Sequence, residues 1–277
     1  MRTPAENAQL ALLLEVTATP KPGNVDRDRE YPDLRFEHFM TGAVGASEGL
    51  RMAAAGEPIG ESFERAVDGM ADQRGGNTQF GALLLLVPLV RASGTGELTP
   101  EYAAEVVGET TVADAAGFYR AFEHVDVGIS DPPDEMKALD VRRGADAIPE
   151  LEARELTLED VLAASVERDG VAREWVSRFS RSFEIAERIT SGEGSVPDRA
   201  ARAFLEALAS EPDTFVAKRH DEATARGVTE AARAALRGDA DPDALAEELV
   251  DAGVNPGTTA DLVAAGLFIA LEDGLTV

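Results

Sequence analysis

The first group of residues suited to chemistry follows Glu15, in the segment Thr19-Pro20-Lys21-Pro22-Gly23-Asn24-Val25-Asp26. The prolines stop a helix and stiffen the turn, and Gly23 permits a backbone conformation that leaves amide groups open to a ligand. Lys21 adds a cation and Asp26 adds a carboxylate, which together suit a site for phosphate and a metal ion. The alternative is a helix-ending turn whose charges are solvated.

A second group, Gly75-Gly76-Asn77-Thr78-Gln79-Phe80-Gly81, comes directly before the most apolar run of the chain. Asn77 or Thr78 would cap a helix that starts here. A cap explains one of these residues but not the whole cluster of amides and a hydroxyl. Free amide groups at a helix start also favour anions. The segment therefore predicts either a helix cap or an anion site.

A third group combines Asp213-Thr214 with Lys218-Arg219. On a helix, Lys218 falls about one turn beyond Thr214, so that an acid, a hydroxyl and a cation can share one face. This arrangement would suit a bound phosphate. The alternative is an N-capped helix that carries ion pairs on its surface.

A fourth group, Asn255-Pro256-Gly257-Thr258-Thr259-Ala260-Asp261, leads into the apolar stretch from Leu262 to Leu271. A carboxylate in the first turn of a helix is stabilised by the helix dipole, so plain capping would also explain it. The four groups share a plan in which a turn or an acid–cation pair lies beside a buried helix. Because Mg²⁺ prefers one or two carboxylates plus phosphate oxygens, these segments supply the parts of a nucleotide–metal site.

Several other kinds of site are excluded by what the sequence lacks. The chain has no cysteine, which excludes disulfides, thiolate nucleophiles and cysteine-based zinc sites. It has no G-x-x-x-x-G-K-[ST] phosphate loop and no G-x-G-x-x-G after a strand. The short segments Gly94-Thr95-Gly96 and Gly192-Glu193-Gly194 are better explained as breaks between helices.

The elements that must position these groups have a helical period almost throughout the chain. Apolar residues recur at steps of three and four, as in the series from Val171 through Trp175 to Ile189. The run Phe80–Val90 is apolar on all sides, which is typical of a helix surrounded by others. We therefore predict an all-α fold, a single-domain multi-helix bundle over residues 1–277 with a buried central helix.

Two segments depart from the helical period. Val125, Val127 and Ile129 alternate with polar residues, and we interpret this lone short run as an extended connector. Residues 131–155 are the most polar and least periodic part of the chain, and we expect a mobile excursion there.

The charge of the chain indicates its environment. Acidic residues number 52 against 26 basic ones, for a formal net charge of −26, and only three of the basic residues are lysines. The acids are spread along the whole chain. Molar salt shortens the Debye length to about 3 Å and relieves such self-repulsion. We therefore predict a salt-adapted protein from a halophilic cell, and exclude nucleic acids and anionic membranes as partners.

The ends and the apolar runs of the chain bear on its location. Residues 1–7 lack the apolar core of a signal peptide. The longest apolar run, Phe80–Val90, has 11 residues, whereas a membrane span needs about 20. We expect a cytoplasmic protein.

Taken together, the four groups resemble the motifs of the triphosphoribosyl-dephospho-CoA synthase family, in the family's order and over nearly the whole chain. Glu15 with residues 20–26 resembles the signature E…PKPGxVD, and residues 77–81 resemble NTHxG. Asp213-Thr214 with Lys218-Arg219 resembles DTN…RGG, and residues 255–262 resemble the segment N-SPGG-ADLL. The first motif is the most specific, and the others gain weight as a set.

This resemblance implies an all-helical transferase that joins ATP to 3′-dephospho-CoA and releases adenine. A ribose 2′-hydroxyl would attack C1 of the ATP ribose, which requires a base, stabilisation of an oxocarbenium-like centre and a clamp on the triphosphate. The substrates and cofactors implied are ATP, dephospho-CoA and Mg²⁺. A homodimer is left open.

The resemblance also implies the residues of the site. The catalytic residues would be Glu15, Asp26 and Asp213, and the Mg²⁺ ligands would be Asp26, Asp213 and Asp261. The nucleotide-binding residues would be Lys21, Gly23, Asn24, Asn77, Thr78, Gln79, Gly81, Thr214, Lys218, Arg219, Asn255 and Gly257. Among these, Lys21 and Arg219 would hold phosphates.

Departures from the family pattern leave other activities open. Gln79 stands where the family has histidine, and Thr258-Thr259 replaces Gly-Ser. One alternative is a related nucleotide-dependent transferase or kinase with another acceptor in cofactor biosynthesis. Others are a metal-dependent phosphohydrolase built on His220-Asp221 and a non-catalytic nucleotide-binding protein.

Overall fold

The computed structural model describes residues 2–129, 131–132 and 134–277. Within these ranges the chain forms sixteen α-helices, two 3-10 helices and no strand, so the predicted all-α class is confirmed. The α-helices are α1 (Pro4–Thr17), α2 (Phe36–Gly45), α3 (Ser47–Ala54), α4 (Ile59–Ala71), α5 (Phe80–Thr95), α6 (Pro100–Gly108), α7 (Val112–Ala121), α8 (Ile148–Arg154), α9 (Leu158–Ala163), α10 (Gly170–Val176), α11 (Ser180–Ser191), α12 (Val196–Ser210), α13 (Thr214–Arg219), α14 (Glu222–Arg237), α15 (Pro242–Asp251) and α16 (Gly257–Glu272). The 3-10 helices span Asp134–Leu139 and Val141–Ala147.

Two helices, α5 and α16, form the centre of the bundle. Both are buried along almost their whole length, as their apolar sequences predict. They pack against each other and against α1 and α10. Helices α3, α4 and α6 also contact α5, while α11, α12 and α13 contact α16. The remaining helices therefore enclose two helices that would be insoluble alone.

Helix starts meet near the middle of the molecule and bring the polar segments together. Helix α5 starts directly after Gln79, α13 after Asp213, and α16 after Pro256. Because α13 packs on α16 and α16 packs on α5, these three starts are neighbours. The turn after α1 joins them, since Asn24 bonds to Asn255 just before α16. Helix packing thus assembles groups that are far apart in sequence.

The two segments without a helical period differ in outcome. Residues 126–129 form neither helix nor strand, as expected for an extended connector. The segment 131–155 contains both 3-10 helices and α8, a helical content that its polar composition did not suggest. Tyr119 of α7 anchors this segment, because its hydroxyl donates a 2.7 Å hydrogen bond to the Leu139 carbonyl. Pro133, inside this segment, lies outside the described residues.

No single helix among the described residues is both long and apolar enough to cross a membrane. The bent pair α5 and α6 meets the criteria of length and composition only when the two helices, 108° apart, are counted together.

Acidic side chains lie almost entirely at the surface. Among the residues whose burial the structure describes, five acids are buried, namely Glu15, Asp26, Asp114, Glu174 and Asp213, and Asp261 is half-buried. Many exposed acids pair with arginine along a helix, as Glu206 does with Arg202 at 2.6 Å. Such exposed pairs stabilise a protein little and leave most of the negative charge uncompensated.

We expect the melting temperature to rise by several degrees between about 0.1 M and about 2 M KCl, because the Debye length falls from about 10 Å to about 3 Å and the acidic surface repels itself less. Differential scanning calorimetry over a KCl series tests this. A melting temperature that stays constant or falls with salt would contradict the predicted salt adaptation.

Candidate functional site

A cavity of about 570 Å³ lies where the starts of α5 and α16 meet α13, α7 and the turn after α1. Its walls combine polar and aromatic side chains. The polar part includes Glu15, Asn24, Asn77, Thr78, Gln79, Asp169, Lys218, Asn255, Thr258 and Asp261. The aromatic part includes Phe39, Phe80, Phe118, Tyr119, Phe122 and Phe215. A cavity of this size and composition is typical of a small-molecule site.

A buried polar network forms the wall of the cavity beside α1. Lys21 is completely buried, and its ammonium group donates to the Glu15 carboxylate and, at 3.0 Å, to Asn24 Oδ1. Asn24 Nδ2 in turn donates to Asn255 Oδ1 at 2.9 Å. Glu15, Asn24 and Asn255 line the cavity, whereas Lys21 lies behind them. Lys21 therefore positions the cavity wall and does not reach a phosphate in the cavity, contrary to the role expected from the motif.

Gly23 makes the turn after α1 possible. Its φ of +74° is a conformation that residues with a side chain rarely adopt. A Cβ atom here would overlap the Val254 carbonyl, which belongs to the loop before α16. The Gly23 carbonyl accepts a 2.6 Å hydrogen bond from the Tyr31 hydroxyl. Gly23 thus lets two loops approach closely, and its backbone is not among the groups that line the cavity.

Asp26 lies outside the cavity and stabilises its own loop. Its Oδ1 accepts hydrogen bonds from the amides of Asp28 and Arg29 at 2.8 and 2.9 Å. Its Oδ2 accepts from the Lys21 amide and from Arg29 Nη1, both at 3.1 Å. Both oxygens are therefore occupied by protein donors, which suits a structural turn and leaves no free lone pair directed at the cavity.

The segment before α5 carries both a cap and unpartnered polar atoms. Asn77 Oδ1 accepts a 3.0 Å hydrogen bond from the amide of Phe80, the first residue of α5, and so satisfies one free amide at this helix start, although the N-cap position itself is Gln79. Thr78 Oγ1, Gln79 Oε1 and Gln79 Nε2 are buried and have no partner among the described residues. Asn77, Thr78 and Gln79 all line the cavity.

Asp261 lies against the start of α5 in the cavity wall. A Cβ atom on Gly81 would overlap Asp261 Oδ2, so the carboxylate occupies the space that glycine leaves free. Burial raises the pKa of Asp261 well above its usual range, and the charges of Glu15, Asp213 and Asp169 raise it further, while a backbone hydrogen bond from Ala82 opposes them. The environment of this carboxyl group therefore favours its protonated form.

Glu15 is another carboxyl group of the cavity wall. Burial raises its pKa, but the adjacent ammonium of Lys21 opposes that effect. Glu15 is thus paired with a buried cation, whereas Asp261 has no cationic partner among the described residues.

Asp213 acts as a clamp between α13 and α16. Its Oδ1 accepts from the amides of Phe215 and Val216 at 2.8 and 3.0 Å. Its Oδ2 accepts from the Thr259 amide and hydroxyl at 2.8 and 2.7 Å. Burial raises its pKa while these bonds oppose the rise. Asp213 does not line the cavity, so capping explains it better than a direct catalytic or metal-binding role.

The residues after Asp213 divide between the cavity and the surface. Thr214 Oγ1 accepts from the Gly170 amide at 2.9 Å and bonds to Thr258 Oγ1 at 3.0 Å, which ties α10, α13 and α16 together. Lys218 lines the cavity and donates to Asp169 Oδ2 at 2.9 Å. Arg219 is exposed and packs beside Gly128.

Gly257, the first residue of α16, also lines the cavity. A Cβ atom here would lie 3.1 Å from the ring of Phe215, so a side chain would press on the aromatic wall.

The three predicted magnesium ligands do not all face the cavity. Asp26 and Asp213 are saturated by protein donors outside the cavity, and only Asp261 reaches it. Within the described ranges, no group of three or more His, Asp or Glu side chains could hold a metal ion. The residues therefore do not fit a magnesium ion held mainly by the protein.

The structure does not assemble the predicted histidine-based hydrolase site either. His220 bonds to the Gly253 carbonyl at 3.2 Å, His38 Nδ1 accepts from the Arg35 amide, and His124 lies between Glu64 and Asp68.

Sequence reasoning missed several cavity residues. Asp169 caps α10 and pairs with Lys218, and Arg168 beside it lines the cavity without an ion pair in the part of the chain that the structure describes. An acid before Gly170 is a capping signal that the sequence does contain. Two residues of the aromatic wall, Phe118 in α7 and Phe122 directly after it, are four positions apart. This spacing by itself indicates only a helix face that packs in the core.

Comparisons with known proteins agree with the fold and the motifs. The CitG family model, of ATP:dephospho-CoA triphosphoribosyl transferases, matches residues 1–276. A crystal structure from Archaeoglobus fulgidus, provisionally assigned as a triphosphoribosyl-dephospho-CoA synthase, is similar at 27% identity and a TM-score of 0.70. The similarity covers 85% of this chain and 99% of that one. No curated protein matches the chain.

Because the Asp213 carboxylate accepts hydrogen bonds from both α13 and α16, we expect Asp213→Asn to lower the stability of the protein. The amide group would place a donor against the amides of α13 or against Thr259, so we expect the free energy of unfolding to fall by about 2 kcal/mol. Urea denaturation measures it. The matched control is Asp241→Asn on α15, where the side chain caps with one 3.1 Å bond and asparagine caps about as well. Equal stability of both variants would contradict the clamp.

The contact between Gly81 and Asp261 predicts the effect of Gly81→Ala. The added methyl group would displace the carboxylate, and we expect ATP binding or turnover to fall about tenfold or more. Calorimetric titration with ATP and a turnover assay measure this. Gly227→Ala is the control, because a Cβ atom at that exposed helical position meets nothing and should stabilise α14 by about 1 kcal/mol. Unchanged binding and turnover in Gly81→Ala would show that the contact has no functional role.

Proposed function

We propose a function from one premise, namely that the chain belongs to the family of ATP:dephospho-CoA triphosphoribosyl transferases and is a transferase that uses ATP. The reaction proposed is transfer of the triphosphoribosyl group of ATP to the 2′-hydroxyl of 3′-dephospho-CoA. The bond between C1′ and N9 of ATP breaks and a bond between C1′ and the acceptor oxygen forms. The hydroxyl loses a proton, and adenine leaves with one.

One observation carries the assignment of roles: two carboxyl groups, Glu15 and Asp261, line the same cavity, and Glu15 is paired with the Lys21 ammonium whereas Asp261 has no cationic partner among the described residues. Two titratable groups in different environments can act as base and acid. Glu15, paired with Lys21, would accept the proton of the attacking hydroxyl. Asp261, whose desolvation raises its pKa and favours the protonated form, would donate to the departing adenine. A negative Glu15 would also stabilise the positive charge that develops at C1′.

The geometry around Glu15 supports its role as a base. Lys21 is bonded to Glu15 Oε1, whereas Oε2 accepts no hydrogen bond from the described residues. One oxygen is thus fixed and the other is available to a substrate. Lys21, Asn24 and Asn255 would act as positioning residues for this carboxylate and for the sugar.

The triphosphate would bind beside α10 and α13, where two of the cations that line the cavity lie; a further one, Arg154 of α8, is paired with Glu150. Lys218 and Arg168 line this side, and Arg219 is exposed nearby. Arginine and lysine form strong charge-assisted bonds to phosphate. In a chain with a formal net charge of −26, local cations are needed to attract a polyanion. Arg168 is the best candidate, since no acid in the described residues competes for it.

Magnesium would arrive with ATP and not in a site prepared by the protein. The ion would neutralise part of the triphosphate charge, with phosphate oxygens and water as its main ligands. Because the predicted aspartate set is not assembled, no step of the proposed reaction depends on a protein-held ion.

Other properties remain predictions. We propose that residues 1–277 act as one domain, since the elements of the cavity come from both halves of the chain. The cytoplasmic location and the halophilic cell are proposed from sequence features alone. No sequence feature specifies the oligomeric state, so the homodimer stays an open alternative that sedimentation equilibrium at high salt tests.

The proposed reaction is tested by incubation with ATP, Mg²⁺ and dephospho-CoA in high salt. We expect free adenine and a triphosphoribosyl adduct in equal amounts, measured by chromatography and mass spectrometry. In Asp261→Asn, kcat should fall about 100-fold or more because the proton donor is lost, with ATP affinity little changed. Release of ADP or pyrophosphate in place of adenine would overturn the proposed reaction.

The same variant has an expected signature in stability. Burial raises the pKa of Asp261 in the folded chain, so its stabilising protonated form is complete below the unfolded pKa and is lost as pH rises toward the folded pKa. Asparagine does not titrate. The free energy of unfolding of the wild type should therefore fall relative to that of Asp261→Asn as pH rises above the unfolded pKa of about 4. A difference that stays constant with pH, or that changes in the opposite direction, would show that the pKa of Asp261 is not raised in the folded chain.

A further inference from the structure

Three unpartnered polar atoms lie side by side at the start of α5. Thr78 Oγ1 and both amide atoms of Gln79 are buried and lack a hydrogen-bond partner in the described residues. Gln79 is 4% exposed, so its amide group is removed from bulk water. An unmade buried hydrogen bond destabilises the fold, and most buried polar groups in proteins avoid it. This cluster therefore calls for a partner that is not part of the chain.

The position of the cluster points to a ligand. Elsewhere in the described residues, such atoms occur singly at Ser62 and Arg29, neither of which lines the cavity. Thr78 and Gln79 do line it. The oxygens of Thr78 and Gln79 lie against Gly42 of α2, in the space that its missing side chain leaves free. The unmade bonds are thus concentrated where a substrate would bind.

The surroundings of Gln79 suit a planar heterocycle. The next residue, Phe80, belongs to a group of rings with Phe118 and Phe122, with centroids 4.8 to 6.4 Å apart, and all three line the cavity. Aromatic side chains bind bases by stacking. A carboxamide presents one acceptor and one donor side by side, which matches the amino donor and adjacent ring-nitrogen acceptor of adenine.

We propose that the Gln79 side chain, assisted by the Thr78 hydroxyl, forms a paired hydrogen bond with the edge of an adenine base in this cavity. Gln79 Oε1 would accept from the exocyclic amino group, and Gln79 Nε2 would donate to the neighbouring ring nitrogen. The inference rests on the proposed function for its ligand. ATP and dephospho-CoA both carry adenine, so the shared chemistry is the base itself, and the experiment distinguishes the two sources.

The test is Gln79→Met, which keeps the approximate shape of the side chain and removes both polar atoms. We expect KM to rise about tenfold or more for the substrate whose adenine binds here, ATP or dephospho-CoA, with a smaller change in kcat. We also expect the melting temperature to rise, because two buried unsatisfied atoms are removed. A gain in stability together with a loss of affinity is the signature of a binding group and not of a structural one.

Two control variants isolate this effect. Ser62→Ala removes an unpartnered buried hydroxyl outside the cavity and should raise the melting temperature without changing either KM. Gln9→Met removes a glutamine whose Nε2 donates to the Ala43 carbonyl at 3.2 Å, away from the cavity, and should lower stability slightly at constant KM.

A second arm uses the wild-type protein, so that the test survives a variant that fails to fold. Purine riboside triphosphate and the corresponding analogue of dephospho-CoA lack the exocyclic amino group. Binding of one of them should be weaker than that of its parent by about tenfold, and the affected analogue identifies which adenine is read.

KM values within about twofold of wild type for both substrates in Gln79→Met would overturn the proposal, as would equal binding of both analogues and their parents. A fall in melting temperature with a uniform loss of kcat would also overturn it, because that pattern indicates a structural residue. Adenine release by the wild type reports on the proposed function separately, so the inference can fail while the reaction stands.

Discussion

The site depends on a single buried ion pair between Lys21 and Glu15. Removing two charges from water is costly, and this cost is offset by the direct contact of the two charges and by the bond from the ammonium to Asn24. Asn24 accepts a hydrogen bond from the ammonium group and donates one to Asn255, which lies on the loop before α16. The pair thus fixes α1, the turn after it and the start of α16 relative to one another. It also holds one oxygen of Glu15 while the other remains available.

The apolar centre of the bundle explains why these loops meet. Helices α5 and α16 must be enclosed on all sides, so their polar starts can only lie where the enclosing layer opens. That opening is the cavity. Asp261 in the first turns of α16 then packs into the space that Gly81 leaves in the first turn of α5. A carboxyl group trapped between two helix starts is desolvated, which is why its pKa rises.

The helices and the motifs could be predicted from the sequence because they depend on the spacing of residue types. The direction in which each carboxylate side chain points could not. The buried helix from Phe80 and the meeting of the four motifs followed from periodicity and resemblance. The roles of Asp26 and Asp213 did not, because a carboxylate that caps a turn has the same sequence appearance as one that faces a ligand. Only the count of donors around each oxygen separates them from Asp261. Asp169 was missed for the same reason, since a capping signal in the sequence does not reveal the ion pair that Asp169 forms with Lys218 in the cavity wall.

The complete burial of Lys21 means that its charge responds to salt differently from the charges on the acidic surface. Mobile ions screen charges on the acidic surface, but they act far less on a pair enclosed by protein. The field that Lys21 exerts on Glu15 is therefore nearly independent of the ionic strength outside. A cell that changes its internal salt would alter how firmly this protein folds and how fast it meets a charged substrate. The protonation balance inside the cavity would stay the same, so the chemistry would be insulated from osmotic adjustment.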